Sequence, residues 1–174
     1  VAGPTSATNG GVLDLQAPLN TIGSLAGGGL VKGTGLKIAG AKSTTFDGTF
    51  QFGDFYKTGP STLALNSSNK FISFTLSGGT VVLGNDGALG NATLFLNNSN
   101  FLPTATGSGN IVLQASAPRM LNNNAIAIGT VNFGGTAPMT FGSLKLTGNL
   151  ITDVDADTTF NGIVTATGTY GVTK

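Results

Sequence analysis

Residues 57–90 decide how the chain folds: Lys57-Thr58-Gly59-Pro60-Ser61-Thr62-Leu63-Ala64-Leu65-Asn66-Ser67-Ser68-Asn69-Lys70-Phe71-Ile72-Ser73-Phe74-Thr75-Leu76-Ser77-Gly78-Gly79-Thr80-Val81-Val82-Leu83-Gly84-Asn85-Asp86-Gly87-Ala88-Leu89-Gly90. Three short apolar-rich runs stand in it, at 61–65, 71–76 and 80–83. Apolar and small polar residues alternate, the period of a strand buried on one face. Gly and Asn clusters separate the runs, and both residues tolerate the positive φ that tight corners need.

The same texture continues in both directions. Further strand-like runs lie at 12–15, 92–96, 110–114, 125–128, 130–133, 143–146 and 158–160. Between them stand Asn97-Asn98-Ser99-Asn100, Gly107-Ser108-Gly109, Asn122-Asn123-Asn124, Gly134-Gly135 and Gly148-Asn149. Every candidate helical run is interrupted by Gly, Thr, Asn or a β-branched residue. Many short strands with such corners fit a sandwich, a barrel or a solenoid.

Composition narrows both fold and chemistry. The chain has 174 residues, one domain's worth, and 40% are hydrophobic, enough for a core. Only 9% are charged, against about 25% in ordinary globular proteins. A sandwich usually alternates charged residues along its outer faces, whereas solenoids stack Thr, Ser and Asn in ladders. There is no His, Cys or Trp, and every acidic residue is Asp. Ser-His and Cys-His catalysis, ordinary zinc, haem and iron–sulfur sites, and a disulfide framework are thereby excluded. A net charge of +1 and a single arginine, Arg119, argue against a nucleic-acid partner. Residues 1–5, Val1-Ala2-Gly3-Pro4-Thr5, lack the basic start and apolar core of a signal peptide. No run of about 18 apolar residues suggests direct membrane insertion. The expectation is a mature or excised piece of something longer, or a protomer that joins its neighbours.

Internal repetition favours the solenoid. Thr44-Thr45-Phe46-Asp47-Gly48 recurs as Thr158-Thr159-Phe160-Asn161-Gly162, after Gly35-Leu36-Lys37-Ile38 and Gly142-Ser143-Leu144-Lys145-Leu146 respectively. An aromatic and then a lysine follow each copy, Tyr56-Lys57 and Tyr170 with Lys174. The segment Lys57-Thr58-Gly59-Pro60-Ser61 is similar to Lys174 joined to Val1-Ala2-Gly3-Pro4-Thr5, which suits head-to-tail stacking or an excised array unit.

Over 57–90 the sequence resembles the autotransporter-associated β-strand repeat, of the pattern K-x-G-x-G-T-L-x-L, N-x-Y/F-x-G, T, G-G-T-L and G-x-x-x-A-L-G. Lys57, Gly59, Thr62, Leu63, Leu65, Asn69, Phe71, Thr75, Gly78, Gly79, Thr80, Ala88, Leu89 and Gly90 carry the match. Ser61 and Ser73 depart from it, standing where the pattern has Gly. Gly10-Gly11-Val12-Leu13-Asp14-Leu15 with Thr21-Ile22-Gly23-Ser24-Leu25 resembles segments that accompany such repeats, and 142–174 resembles the lead-in to another copy. The resemblance implies a right-handed parallel β-helix. It also implies a secreted, extracellular place on the surface of a Gram-negative-type bacterium, an adhesive or structural role, and no catalytic residues.

Each candidate site in the sequence has a structural reading beside its functional one. Asp153, Asp155 and Asp157 alternate, so a strand would put three carboxylates on one face about 7 Å apart, a calcium candidate, or simply a solvated edge with Val154 and Ala156 inward. An enzyme acting on polysaccharide would need an Asp pair or Asp with Lys or Arg119. Asp14, Asp47, Asp54 and Asp86 are scattered and better read as corner residues. Gly27-Gly28-Gly29 with Lys32 lacks the phosphate-loop spacing. Phe46, Phe50, Phe52, Phe55 and Tyr56 are expected in interior columns rather than as a carbohydrate-stacking strip. Asn66, Asn91 and Asn97 head glycosylation-type triplets of a kind common in so Asn-rich a chain. Asn122-Asn123-Asn124 reads as a corner ladder.

The expectation is therefore one all-β domain over 1–174, a right-handed parallel β-helix of about seven or eight coils. Coils of about 20 to 25 residues at ~4.8 Å each give a rod about 35 to 40 Å long. The expected role is a non-catalytic, self-assembling module of a fibre, sheath or adhesive stalk. Its partners would be copies of itself, end to end or side by side. The alternative is a surface-glycan or host-receptor adhesin, and beyond that a polysaccharide lyase or hydrolase. No cofactor is expected other than the candidate calcium.

Overall fold

The computed structural model describes residues 5–7, 10–96 and 110–174. The turn signals at 97–100 and 107–109, the triplet headed by Asn97, and residues 1–4 lie outside these. The described residues form strands joined by turns and bends, with no helix.

The chain winds through eight turns of a β-solenoid with three faces. The first coil contains β1 (Thr5–Ala7), β2 (Val12–Leu15) and β3 (Asn20–Ile22). In the second, β4 (Leu25–Gly27) is followed by β5 (Leu30–Ile38), a long strand serving two faces. The third repeats this with β6 (Thr44–Phe46) and β7 (Thr49–Lys57). The fourth holds β8 (Thr62–Leu65) and β9 (Ser73–Leu76), and the fifth β10 (Gly79–Leu83) and β11 (Thr93–Leu96). In the sixth, β12 (Ile111–Ala115) and β13 (Arg119–Met120) lead into β14 (Ala125–Gly134). The seventh takes the rest of β14, then β15 (Met139–Phe141) and the start of β16 (Leu144–Val154). The eighth completes β16 and adds β17 (Thr158–Phe160) and β18 (Val164–Ala166), and β19 (Val172–Thr173) begins the next turn.

Every strand pairing is parallel, each coil bonding to the one before and the one after. On the first face Gly27 pairs with Phe46, Phe46 with Leu65 and Leu65 with Leu83, so a coil takes 18 or 19 residues there. These three coils, the second to the fourth, are shorter than the sequence suggested, while Leu113 to Phe133 and Phe133 to Val154 fall within the expected range. The reason is local: β5 and β7 turn between the second and third faces within one strand, at Gly33-Thr34 and Gly53, without a separate loop. Leu83 pairs with Ala115, so the fifth coil is the long one, and 97–109 fall within it.

The core is a set of columns. On the third face Leu36, Phe55, Phe74, Leu94, Ala125 and Leu144 stand in register, all buried. On the first face Leu63, Val81, Leu113 and Phe133 do the same. Each Leu, Val or Phe of these columns contributes about 1.5–3 kcal/mol by leaving water, so coil-on-coil burial, not surface charge, holds the rod together. Phe46, Phe50, Phe52 and Phe55 fill the interior as expected. Phe46 and Phe50 lie 4.4 Å apart between centroids, and Phe55 stacks on Phe74 at 4.9 Å. A second cluster joins Phe133, Phe141 and Phe160, the last two stacked at 5.4 Å. Tyr56 is buried as well, though it belongs to the outward column of its strand.

The corners explain the glycines. A Cβ on Gly40 would meet Gly23 O, one on Gly59 would meet Ala39, and one on Gly78 would meet Thr58 O. The turns of successive coils are stacked backbone on backbone there. Side-chain ladders seal another corner: Asn66 Nδ2 donates to Asp47 Oδ1 at 2.7 Å, and Ser68 Oγ to Asn85 Oδ1 at 3.0 Å.

The two Thr-Thr-Phe segments do not occupy equivalent places. Gly35-Leu36-Lys37 and Ser143-Leu144-Lys145 do share the third face. But Thr44–Phe46 then forms β6 on the first face, whereas Thr158–Phe160 forms β17 on the second, paired with β15. Between Lys145 and Thr158 the chain spends the rest of β16 on the first face. The copies thus differ by a whole strand, not by loop length. Both place their Phe inward, at Phe46 and Phe160, because alternation alone sets that.

Candidate functional site

The sequence-derived acidic candidates are held apart. Asp14 bridges to Lys32 at 2.9 Å, and Asp54 accepts from Ser73 Oγ at 2.6 Å. Asp86 faces Arg119 at 3.8 Å and accepts from Met120 N at 3.3 Å. Arg119 itself spans two coils, donating to Gly84 O at 2.7 Å and to Leu83 O at 3.4 Å. A groove of about 300 Å³ lies beside it, bordered by Met120 and Pro138. Asp153, Asp155 and Asp157 are all exposed while Ala156 is buried, the alternation expected. However, β16 ends at Val154, so Asp155 and Asp157 lie on the turn to the second face rather than along one strand. Among the described residues no three carboxylates converge on a common point. Gly27-Gly28-Gly29 is a corner between β4 and β5, with Gly27 and Gly29 at positive φ.

Lys57 was not singled out as a site by the sequence, yet among the described residues it is the one charged side chain that is buried. It stands in the third-face column Ile38, Lys57, Leu76, Leu96 and is fully buried. Its Nζ donates to the carbonyls of Gly59 and, at 3.1 Å, Gly78. A Cβ on Gly79, whose φ is +71°, would come within 2.8 Å of that ammonium. Glycine corners therefore make room for a cation among backbone carbonyls. Burial lowers the amine's pKa from 10.5 to about 8, because the charged form loses its water. On the neighbouring outward position, burial first and Asp54 second raise the Tyr56 phenol above its usual 10.

Two buried asparagines act at corners, Asn69 where the chain enters the second face and Asn123 just before the third. Asn69 ties three coils: Oδ1 accepts from Phe50 N at 2.8 Å, and Nδ2 donates to Ser67 O at 3.1 Å and Ala88 O at 2.8 Å. Asn123 sends both N–H bonds to the fifth coil, Gly90 O at 3.1 Å and Ala92 O at 2.8 Å. Its buried Oδ1 has no partner. Beside it lies a crevice of about 180 Å³ between residues 90–93 and 121–124. The Asn-rich ladder expected here is present in part, since Asn124 Oδ1 accepts from Ser143 N at 2.9 Å. Asn122 is held at φ +55°, the sole non-glycine at positive φ among the described residues. Nothing in the pattern of the triplet distinguishes its buried middle member from its exposed neighbours; only the corner's geometry does.

Among the described residues, most of the large exposed apolar side chains lie in the first coil and in or just beyond the eighth. Val12 and Leu19 are exposed in the first coil. Ile163, Val164, Tyr170 and Val172 are exposed in and just beyond the last coil, with Ile151 on the strand beneath. Elsewhere among the described residues only Ile72 and Met120 are large, apolar and exposed. No helix among the described residues is long and apolar enough to cross a membrane. In comparisons with known proteins, no family model, curated protein or solved structure matches this chain.

Proposed function

We propose that this chain is a non-catalytic structural module of a secreted bacterial surface protein. In this reading it forms or extends a fibre, sheath or adhesive stalk outside a Gram-negative-type cell. The observation that carries the proposal is the concentration of exposed apolar side chains at the two coil edges, at Val12 and Leu19 on one and Val164, Tyr170 and Val172 on the other. A further coil stacked on either of these would pair with its backbone donors and acceptors, whether that coil belongs to the same polypeptide or to another copy. All strands run parallel, so the last coil of one rod and the first coil of another meet in the same sense. A head-to-tail contact of this kind does not close on itself and grows into a filament. The small number of charges, 8 basic and 7 acidic, leaves little repulsion between rods lying side by side. The resemblance of 57–90 to the autotransporter-associated repeat supports the surface location.

Electron microscopy and light scattering over a range of concentrations test the proposal. Filaments about as wide as one rod, lengthening with concentration and lost in a Val164→Lys, Val172→Lys double variant, are expected. Monomers at every concentration would overturn self-association. The adhesin alternative draws its support from the groove beside Arg119.

A further inference from the structure

We infer that the groove on the second face beside Arg119 is a binding site for a neutral saccharide, held by the Asp86–Arg119 pair and by Met120. The groove has its origin in the strand pattern. The second-face sheet contains β13, β15 and β17, whereas the fifth coil crosses that face as turns at 86–91. β13 therefore has no strand on its fifth-coil side, and Met120 N donates to Asp86 Oδ1 at 3.3 Å in place of a backbone carbonyl. The groove left there measures about 300 Å³ and runs from Asp86 past Pro118, Arg119 and Met120 to Pro138 and Thr140. That is the lower end of the range for small-molecule sites, about 300–1,000 Å³. Asp86, Pro118, Met120 and Pro138 are exposed, so a ligand reaches them from solvent.

The chemistry of the lining selects the ligand. The Arg119 guanidinium is held in place by two of its nitrogens: Nε donates to Leu83 O at 3.4 Å, and Nη2 to Gly84 O at 2.7 Å and to Ser116 Oγ at 3.3 Å. Among the described residues the third nitrogen, Nη1, makes no hydrogen bond; it faces Asp86 Oδ1 at 3.8 Å, beyond hydrogen-bond reach. Nη1 thus keeps two N–H donors. The Asp86 side chain is 61% exposed and keeps the lone pairs of Oδ2. A hydroxyl both donates and accepts, so two adjacent hydroxyls, one accepting from Nη1 and one donating to Oδ2, satisfy both groups at once. Charge decides against other ligands. An anion drawn by Arg119 meets Asp86, and a cation drawn by Asp86 meets Arg119, so a neutral ligand suits the pair best. Met120, 62% exposed, lies with Pro118 and Pro138 beside the pair. Its flexible thioether adapts to an apolar shape, here the C–H face of a sugar ring. Because the guanidinium is already anchored, binding has little left to order. The groove lies on the second face, away from the coil edges, so its test is independent of rod assembly.

The test is an amide chemical-shift titration of the whole chain with two probes, glucose and its anionic counterpart glucuronate. Arg119 is left in place because it also ties two coils together. Asp86→Asn and Met120→Ala alter exposed side chains, and the asparagine oxygen can still accept from Met120 N, so the melting midpoints should stay unchanged. We expect glucose to give saturating shifts at Asp86, Arg119, Met120 and Thr140, and glucuronate to bind the unaltered chain more weakly. Each variant should weaken glucose about tenfold, the worth of one hydrogen bond or a comparable apolar contact. Asp86→Asn should also reverse the preference, because the Arg119 charge is then unbalanced and favours the carboxylate of glucuronate. No saturable glucose shift in the unaltered chain would overturn the proposal. So would glucose shifts that both variants leave unchanged, or glucuronate binding the unaltered chain as tightly as glucose.

Discussion

Raising the pH from 7 to 9.5 should stabilise this protein by about 2 kcal/mol, and Lys57 is the reason. The amine is sealed inside the third-face column with only the carbonyls of Gly59 and Gly78 for company. Its pKa in the folded chain is about 8, against 10.5 when exposed. Between those values the unfolded chain keeps a proton that the folded chain has released, so stability rises with pH. Well below pH 8 both states hold the proton and the burial cost is present in full, about 3 kcal/mol for a gap of this size. About 2 kcal/mol of it is recovered by pH 9.5. The window stops there because Tyr56 works in the opposite direction. Its phenol is pushed above 10 by burial and by Asp54, so stability falls once the unfolded tyrosine ionises. Urea midpoints read by circular dichroism from pH 7 to 9.5, at constant ionic strength, measure the effect. Lys57→Met is the control: methionine fills the column without titrating, and its midpoint should be flat over the same range. A flat profile in the unaltered protein, or an equal slope in Lys57→Met, would refute the burial of the ammonium.

Three further outcomes test the corners. Gly78→Ala places a methyl against Thr58 O of the coil below; we expect a loss of at least about 2 kcal/mol, seen as a lowered melting midpoint, and an unchanged midpoint would contradict the stacked turn. Asn69→Ala removes three hydrogen bonds that join three coils, and the buried groups left unpaired should cost about 3 kcal/mol by urea denaturation. Adding calcium should leave the midpoint unmoved, because Asp155 and Asp157 lie beyond the end of β16; a rise abolished by Asp155→Asn would show that the three carboxylates converge after all.

What was legible in the sequence was what local physics controls. Alternation in Thr62-Leu63-Ala64-Leu65 and Thr93-Leu94-Phe95-Leu96 announced which side chains face inward, and Leu63, Leu65, Leu94 and Leu96 are buried; at Phe71-Ile72 a corner breaks the phase, so Phe71 is buried and Ile72 exposed. Gly78-Gly79 and the Asn clusters announced corners, and backbone does meet backbone there. Scarce charge pointed to coils stacked on coils. These inferences hold because strand alternation and turn preference act over a few residues and survive any arrangement at longer range.

What only the tertiary structure decided was column membership. Whether a run lies on the first or the second face depends on how many residues the chain spends turning before it. Identical triplets, Thr44–Phe46 and Thr158–Phe160, accordingly end on different faces. The same uncertainty hid Lys57, whose burial requires the glycine corners of its own and the following coil to offer two carbonyls to its ammonium. It hid Asn123 as well, whose burial is set by the carbonyls of Gly90 and Ala92 in the preceding coil that take both of its N–H bonds. Sequence sets the period and the direction of each side chain through short-range sterics. Which residues meet across coils is set by accumulated register, a sum over every preceding corner that no local pattern contains.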